Sequence, residues 1–141
     1  MSGSLITIIV STYNRVSALR WCLEALEAQA LRDFEVIVVN DGSTNSTAEE
    51  LQAYARTTPL RLRIFSQQNA GPALGRNLAI THTTTPFALL IGNEGSGLSS
   101  ELLDRATTCI SIPTPGPVES LNAAIAASIL LYEAARQRNL S

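Results

Sequence analysis

The sequence predicts an α/β chain: an open, mainly parallel sheet between two helical layers. Three observations predict it. Short β-branched runs alternate with helix-forming stretches along the whole length. The segment Phe34-Glu35-Val36-Ile37-Val38-Val39-Asn40 is nearly all apolar, as a strand covered on both faces must be. Polar and glycine punctuation gathers where strands would end, at 11–15, 40–43, 66–69, 92–97 and 113–117, and open α/β sheets bind ligands beyond those ends.

Each element follows from local pattern. A first strand is expected over 5–11. A helix over 16–30 places Leu19, Cys22, Leu23 and Leu26 on one face, with Trp21 beside it and partly buried. The second strand covers 34–40. Asp41-Gly42-Ser43-Thr44 turns into a helix that runs to about Arg56. A third strand alternates over 60–65, and a helix follows over 71–81. Strand four is expected at 87–91, then a glycine-rich loop over 92–97 and a short helix over 99–105. A fifth strand is expected at 109–112, a proline-stiffened loop at 113–117, and an alanine-rich helix over 120–138. The sum is a Rossmann-like three-layer sandwich in one domain, 1–141.

Composition bounds the function. Hydrophobic residues make up 45% of the chain, ordinary for a globular protein, and the net charge of −2 argues against a broadly basic nucleic-acid surface. Local basic groupings remain at Arg56, Arg61 and Arg63 and at Arg136 and Arg138. Two cysteines, Cys22 and Cys109, are too few for a disulfide framework and read as small buried residues in a reducing, cytoplasmic setting. No apolar run approaches the roughly 18 residues that span a bilayer. Residues 1–4 read as a disordered start or an expression scar. The single histidine, His82, is given no catalytic role.

Two sets of motifs point to different families. Ile8-Ile9-Val10-Ser11-Thr12-Tyr13-Asn14-Arg15 resembles the opening strand and loop of family 2 inverting glycosyltransferases of the GT-A fold. Phe34 to Ser43 resembles their second strand and acidic turn, and Asn69-Ala70-Gly71-Pro72-Ala73-Leu74-Gly75-Arg76-Asn77 the opening of their third helix. The resemblance, over about 5–85, implies that Tyr13 stacks on a uracil-type base, Asp41 accepts a hydrogen bond from its imide, and Arg76 lies near base or phosphates. Asp41 also reads as an acid favoured at a helix start. The family places a metal-binding Asp-x-Asp directly after the fourth strand. Here that position reads Ile91-Gly92-Asn93-Glu94, with one carboxylate. No metal is therefore expected, and with no acceptor-binding half following, glycosyl transfer is not expected either.

Residues 86–138 resemble another family. Phe87 to Leu98, including Gly92-Asn93-Glu94-Gly95-Ser96-Gly97, resembles motif 2 of the SpoU/TrmH RNA 2′-O-methyltransferases of the SPOUT superfamily, and Ile112 to Asn122 resembles motif 3. The resemblance implies an S-adenosylmethionine or S-adenosylhomocysteine pocket. Gly92, Ile112 and Leu121 would hold the adenosine through backbone groups, with Glu94, Gly95, Gly97, Pro113 and Asn122 around it. Glycines suit close backbone approach, and prolines stiffen the wall. Glu94, Ser120 and Asn122 are the catalytic candidates of this half; Glu94 also reads as an exposed loop acid and Ser120 as an N-cap. Asn69 and Arg76 mimic the family's motif 1, one residue too far apart.

In that family this half is tied in a trefoil knot, whose loop here would need strands of glycosyltransferase type. The resemblance also implies a homodimer through the last helix and an RNA partner. The reading that results is a chimera joined near Pro86, of engineered origin, with at most residual S-adenosylmethionine binding. The alternatives are a nucleotide-sugar-binding remnant, an active RNA methyltransferase and a purely structural protein.

Overall fold

The computed structural model describes residues 6–90, 98, 100–110, 112–113 and 123–138. In chain order they form β1 (Ile6–Thr12), α1 (Val16–Glu27), β2 (Phe34–Asp41), α2 (Thr47–Ala55), β3 (Leu62–Gln67), α3 (Pro72–Thr81), β4 (Phe87–Leu90), α4 (Ser100–Arg105) and α5 (Ala123–Arg138). The strands make one parallel sheet in the order β3-β2-β1-β4. Ile6 of β1 stands opposite Phe34 of β2 and Phe87 of β4, so β1 is paired in register on both sides.

Strand alternation divides the core in two. On one face Ile8, Val36 and Val38 pack with Leu19, Leu23 and Leu26 of α1, Leu51 of α2 and Leu131 of α5. On the other, Ile9, Ile37 and Val39 pack with Ala79 of α3. The central β2 is buried almost throughout, which explains its continuous apolar run. Among the described residues, no helix is long and apolar enough to cross a membrane.

Several expectations change. The first helix stops at Glu27, where the chain tightens: Ala28 N–H still bonds Glu24 O four residues back, but Gln29 N–H bonds Leu26 O three back, and the Gln29 side chain donates to Ser128 Oγ at 2.8 Å. The third strand is shifted to 62–67, since the Thr58 hydroxyl accepts Leu60 N–H in a turn and Arg61 O begins the ladder to Val36. Trp21 is not partly buried; it is 71% exposed. It lies about 200° round the helix from Leu19, which is the outward side.

The expected fifth strand is absent at its described positions. Residues 109, 110 and 112 are irregular, and Cys109 and Ile110 are exposed. Strand propensity reflects packing on a half-buried pleated surface, and none of these three described residues joins a ladder. Cys109 is therefore not a buried residue either. Cys22 is half-buried, and burial pushes its thiol pKa up. The glycine-rich loop 92–97 and residues 114–122, to which the expected knot belongs, lie outside the described residues.

Candidate functional site

The carboxyl ends of β1, β2 and β3 are tied together by side chains. Asn14 follows β1 and adopts φ 51°, a left-handed conformation that asparagine tolerates better than most residues. Its Oδ1 accepts the N–H groups of Thr44 at 2.8 Å and Asn45 at 3.3 Å, its Nδ2 donates to Thr44 Oγ1, and its own N–H donates to Ser43 Oγ. This lock fixes the first loop against the turn after β2. Tyr13, one residue earlier, stays 43% exposed at the rim.

Asp41 ends β2 and is 2% exposed. Its Oδ1 accepts Gln67 Nε2 at 2.7 Å and Ala70 N–H at 3.0 Å, and its Oδ2 accepts Gly71 N–H at 2.9 Å. A carboxylate offers about four acceptor positions, so one remains, on Oδ2. The acid thus stands at a helix N-terminus as the sequence suggested, but the helix is α3 rather than α2. Gly42 has φ 70°, and a Cβ there would come within 2.6 Å of Asn69 N. The turn after β2 and the loop before α3 touch through backbone, which only glycine allows.

Helix α3 leans on β1. A Cβ at Gly75 would meet Ser11 Oγ at 2.7 Å, so the helix sits closer than alanine would permit. Arg76 follows. It is 4% exposed and has no hydrogen-bond or ion-pair partner among the described residues. Burial lowers the pKa of its guanidinium. Asn77 donates weakly to Glu101 of α4 at 3.4 Å, while its Oδ1 is buried with no partner among the described residues.

Tyr13, Asp41 and Arg76 therefore belong to loops and a helix that meet at one end of the sheet. Sequence reasoning missed Asn14 and Gln67. A Tyr-Asn pair leaving a strand was the available signal for Asn14, because asparagine is favoured where φ turns positive. Of the second set, Ile112 is half-buried and Pro113 exposed. Gly92, Glu94, Gly95, Gly97, Ser120, Leu121 and Asn122 lie outside the described residues. A separate cavity of about 200 Å³ opens between α1 and α2, lined by Leu19, Leu23, Leu51 and Tyr54 among others. None of Tyr13, Asp41 or Arg76 lines it, and its polar rim is satisfied by the Arg20–Glu50 pair at 3.7 Å.

Comparison with known proteins finds two kinds of relative. A region of the chain is 49% identical over 57 residues to an uncharacterized tRNA/rRNA methyltransferase of Mycolicibacterium gilvum, covering 40% of this chain and 18% of that protein. The SpoU methyltransferase AviRb of Streptomyces viridochromogenes, solved with AdoMet, shares the fold over 98% of this chain and 59% of its own, at TM-score 0.62 and 22% identity. The mannosyltransferase PcManGT of Pyrobaculum calidifontis, solved with GDP-Man and Mn²⁺, matches 66% of this chain and 28% of its own, at TM-score 0.57 and 28% identity. Curated glycosyltransferases are matched over only 13% to 27% of their own length. The sequence model of Glycosyl transferase family 2 matches residues 7–93, more than half of the chain. The chain also carries a region similar to a tRNA/rRNA methyltransferase, and it belongs to glycosyl transferase family 2.

Proposed function

We propose that the chain binds a nucleoside diphosphate at the carboxyl end of its sheet and does not complete sugar transfer. The observation that carries this reading is the Asn14 lock, which holds Tyr13 outward beside the Asp41 turn. A rigid exposed ring suits stacking on a base, and stacking of this kind contributes about 1–3 kcal/mol. Asp41 keeps one acceptor position for a ring imide. Family membership over 7–93 supports the same ligand. Transfer is not proposed, because the stretch Ile91-Gly92-Asn93-Glu94 offers one carboxylate where the family resemblance calls for a pair. Calorimetric titration with uridine diphosphate tests the reading. The parent should bind, and Tyr13→Ala should weaken binding about tenfold. A flat titration of the folded parent rejects it.

A second reading rests on the 57-residue methyltransferase match. In it, Gly92, Glu94, Gly95, Gly97, Ile112, Pro113, Leu121 and Asn122 hold S-adenosylmethionine, with Glu94, Ser120 and Asn122 nearest the chemistry. RNA would be the acceptor, and methyl incorporation into RNA tests it. A homodimer through α5 fits both readings. Ile125, Ile129 and Tyr132 are exposed on one stripe, opposite the buried Ala127 and Leu131, and a helix apolar on two sides is normally covered on both. The exposed thiol of Cys109 favours a reducing, cytoplasmic setting. The origin we infer is engineered recombination of two α/β halves that share a strand–helix frame.

A further inference from the structure

We propose, resting on the nucleoside-diphosphate reading, that the counter-charge to the diphosphate is the guanidinium of Arg76 and not a divalent metal. The family's metal does not fit the residues present. Mn²⁺ and Mg²⁺ are hard cations held through carboxylate and other oxygens. The stretch that follows β4, Ile91-Gly92-Asn93-Glu94, offers Glu94 as its one carboxylate.

Arg76 supplies what that donor set lacks. An arginine stays charged in a protein, and a buried charge is costly unless it is paired. This one is 4% exposed and lacks a partner among the described residues. A diphosphate would answer it, since a guanidinium fork matches two phosphate oxygens at once.

Its position is fixed by its neighbours on α3. At 100° per residue, Arg76 lies about 60° round from Ala79, which faces Ile9, Ile37 and Val39, and about 100° from Asn77, which reaches α4. It therefore points between the sheet and α4. Along the helix it follows Gly75, which abuts Ser11. Ser11 is two residues beyond Ile9, the residue level with Leu90 at the end of β4. Arg76 thus stands at the height where the chain leaves β4. The N-terminus of α3 is not a competing anion site, because Ala70 and Gly71 N–H are occupied by Asp41.

The test is calorimetry on the whole chain with uridine diphosphate, uridine and inorganic pyrophosphate. Uridine diphosphate should bind equally in EDTA and in Mn²⁺, and pyrophosphate should bind in EDTA. Arg76→Gln should weaken pyrophosphate and uridine diphosphate about tenfold or more, and leave uridine unchanged. Binding of uridine diphosphate only with Mn²⁺, or pyrophosphate binding that is absent from the parent or untouched by R76Q, overturns the proposal. Pyrophosphate bound through Arg76 with no added affinity for uridine diphosphate would sink the nucleotide reading while sparing this one. The metal comparison and the parent's pyrophosphate titration need no variant, so they stand if R76Q fails to fold.

Discussion

Asn14 holds Thr44: the backbone N–H of Thr44 donates to Asn14 Oδ1 at 2.8 Å, across 30 residues of sequence. The same asparagine carries the positive φ that turns the chain after β1. Asn14→Ala loses both the bonds and the tolerated backbone, whereas Asn14→Gly loses the bonds alone. Alanine should therefore be the less stable of the two by about 1 kcal/mol, read by urea denaturation. Equal stability would mean that the backbone is not held left-handed in solution.

Gly75 of α3 lies against Ser11 of β1, where an added Cβ would meet Ser11 Oγ at 2.7 Å. Gly75→Ala should destabilise by roughly 1–3 kcal/mol through overpacking. Ser11→Ala removes the offending Oγ, leaving a Cβ contact of 3.5 Å. The double variant should recover most of the loss, a coupling that a double-mutant cycle reads directly. Simple additivity would place α3 farther from β1 than described.

Glu27 predicts an acid-side effect. Its carboxylate accepts hydrogen bonds from Thr58 Oγ1 and from Tyr54 Oη at 2.6 Å, joining α1 to the end of α2. The Thr58 bond first, then the Tyr54 bond, hold its pKa below the usual carboxylate value. A lowered folded pKa gives stability that is present above the unfolded value and lost as pH falls through the folded one. Glu27→Gln should lower stability near neutrality and flatten the decline below about pH 4.3. An unchanged acid limb would show that the clamp is not formed.

Trp21, fully outward on α1, should tolerate Trp21→Gln with a change within about 0.5 kcal/mol in thermal or urea unfolding. A loss of several times that would mean a partner covers it.

Much of the architecture was legible because its determinants are local. The apolar run 36–39 reads as a strand buried on both faces, and the spacing of Leu19, Leu23 and Leu26 as a helix stripe. The errors have tertiary causes. The first helix ends just before Gln29, whose side chain reaches Ser128, 99 residues away. Ile110 and Ile112 are β-branched, but at the described positions 109, 110 and 112 no ladder forms, so their propensity goes unused. Trp21 could have been placed by helical geometry, since the stripe at 19, 23 and 26 leaves position 21 outward. At the site, Tyr13, Asp41 and Arg76 were found through motifs. What motifs did not reveal is that Asp41 already serves three donors and that Arg76 has no described partner, both facts of long-range packing.

The most direct test of the nucleotide site is a backbone amide NMR titration with uridine diphosphate. Shifts confined to Tyr13, Asn14, the Asp41 turn, Gly71 and Arg76 are predicted. Unmoved resonances there, with S-adenosylhomocysteine instead shifting Ile112 and the start of α5, would contradict the account.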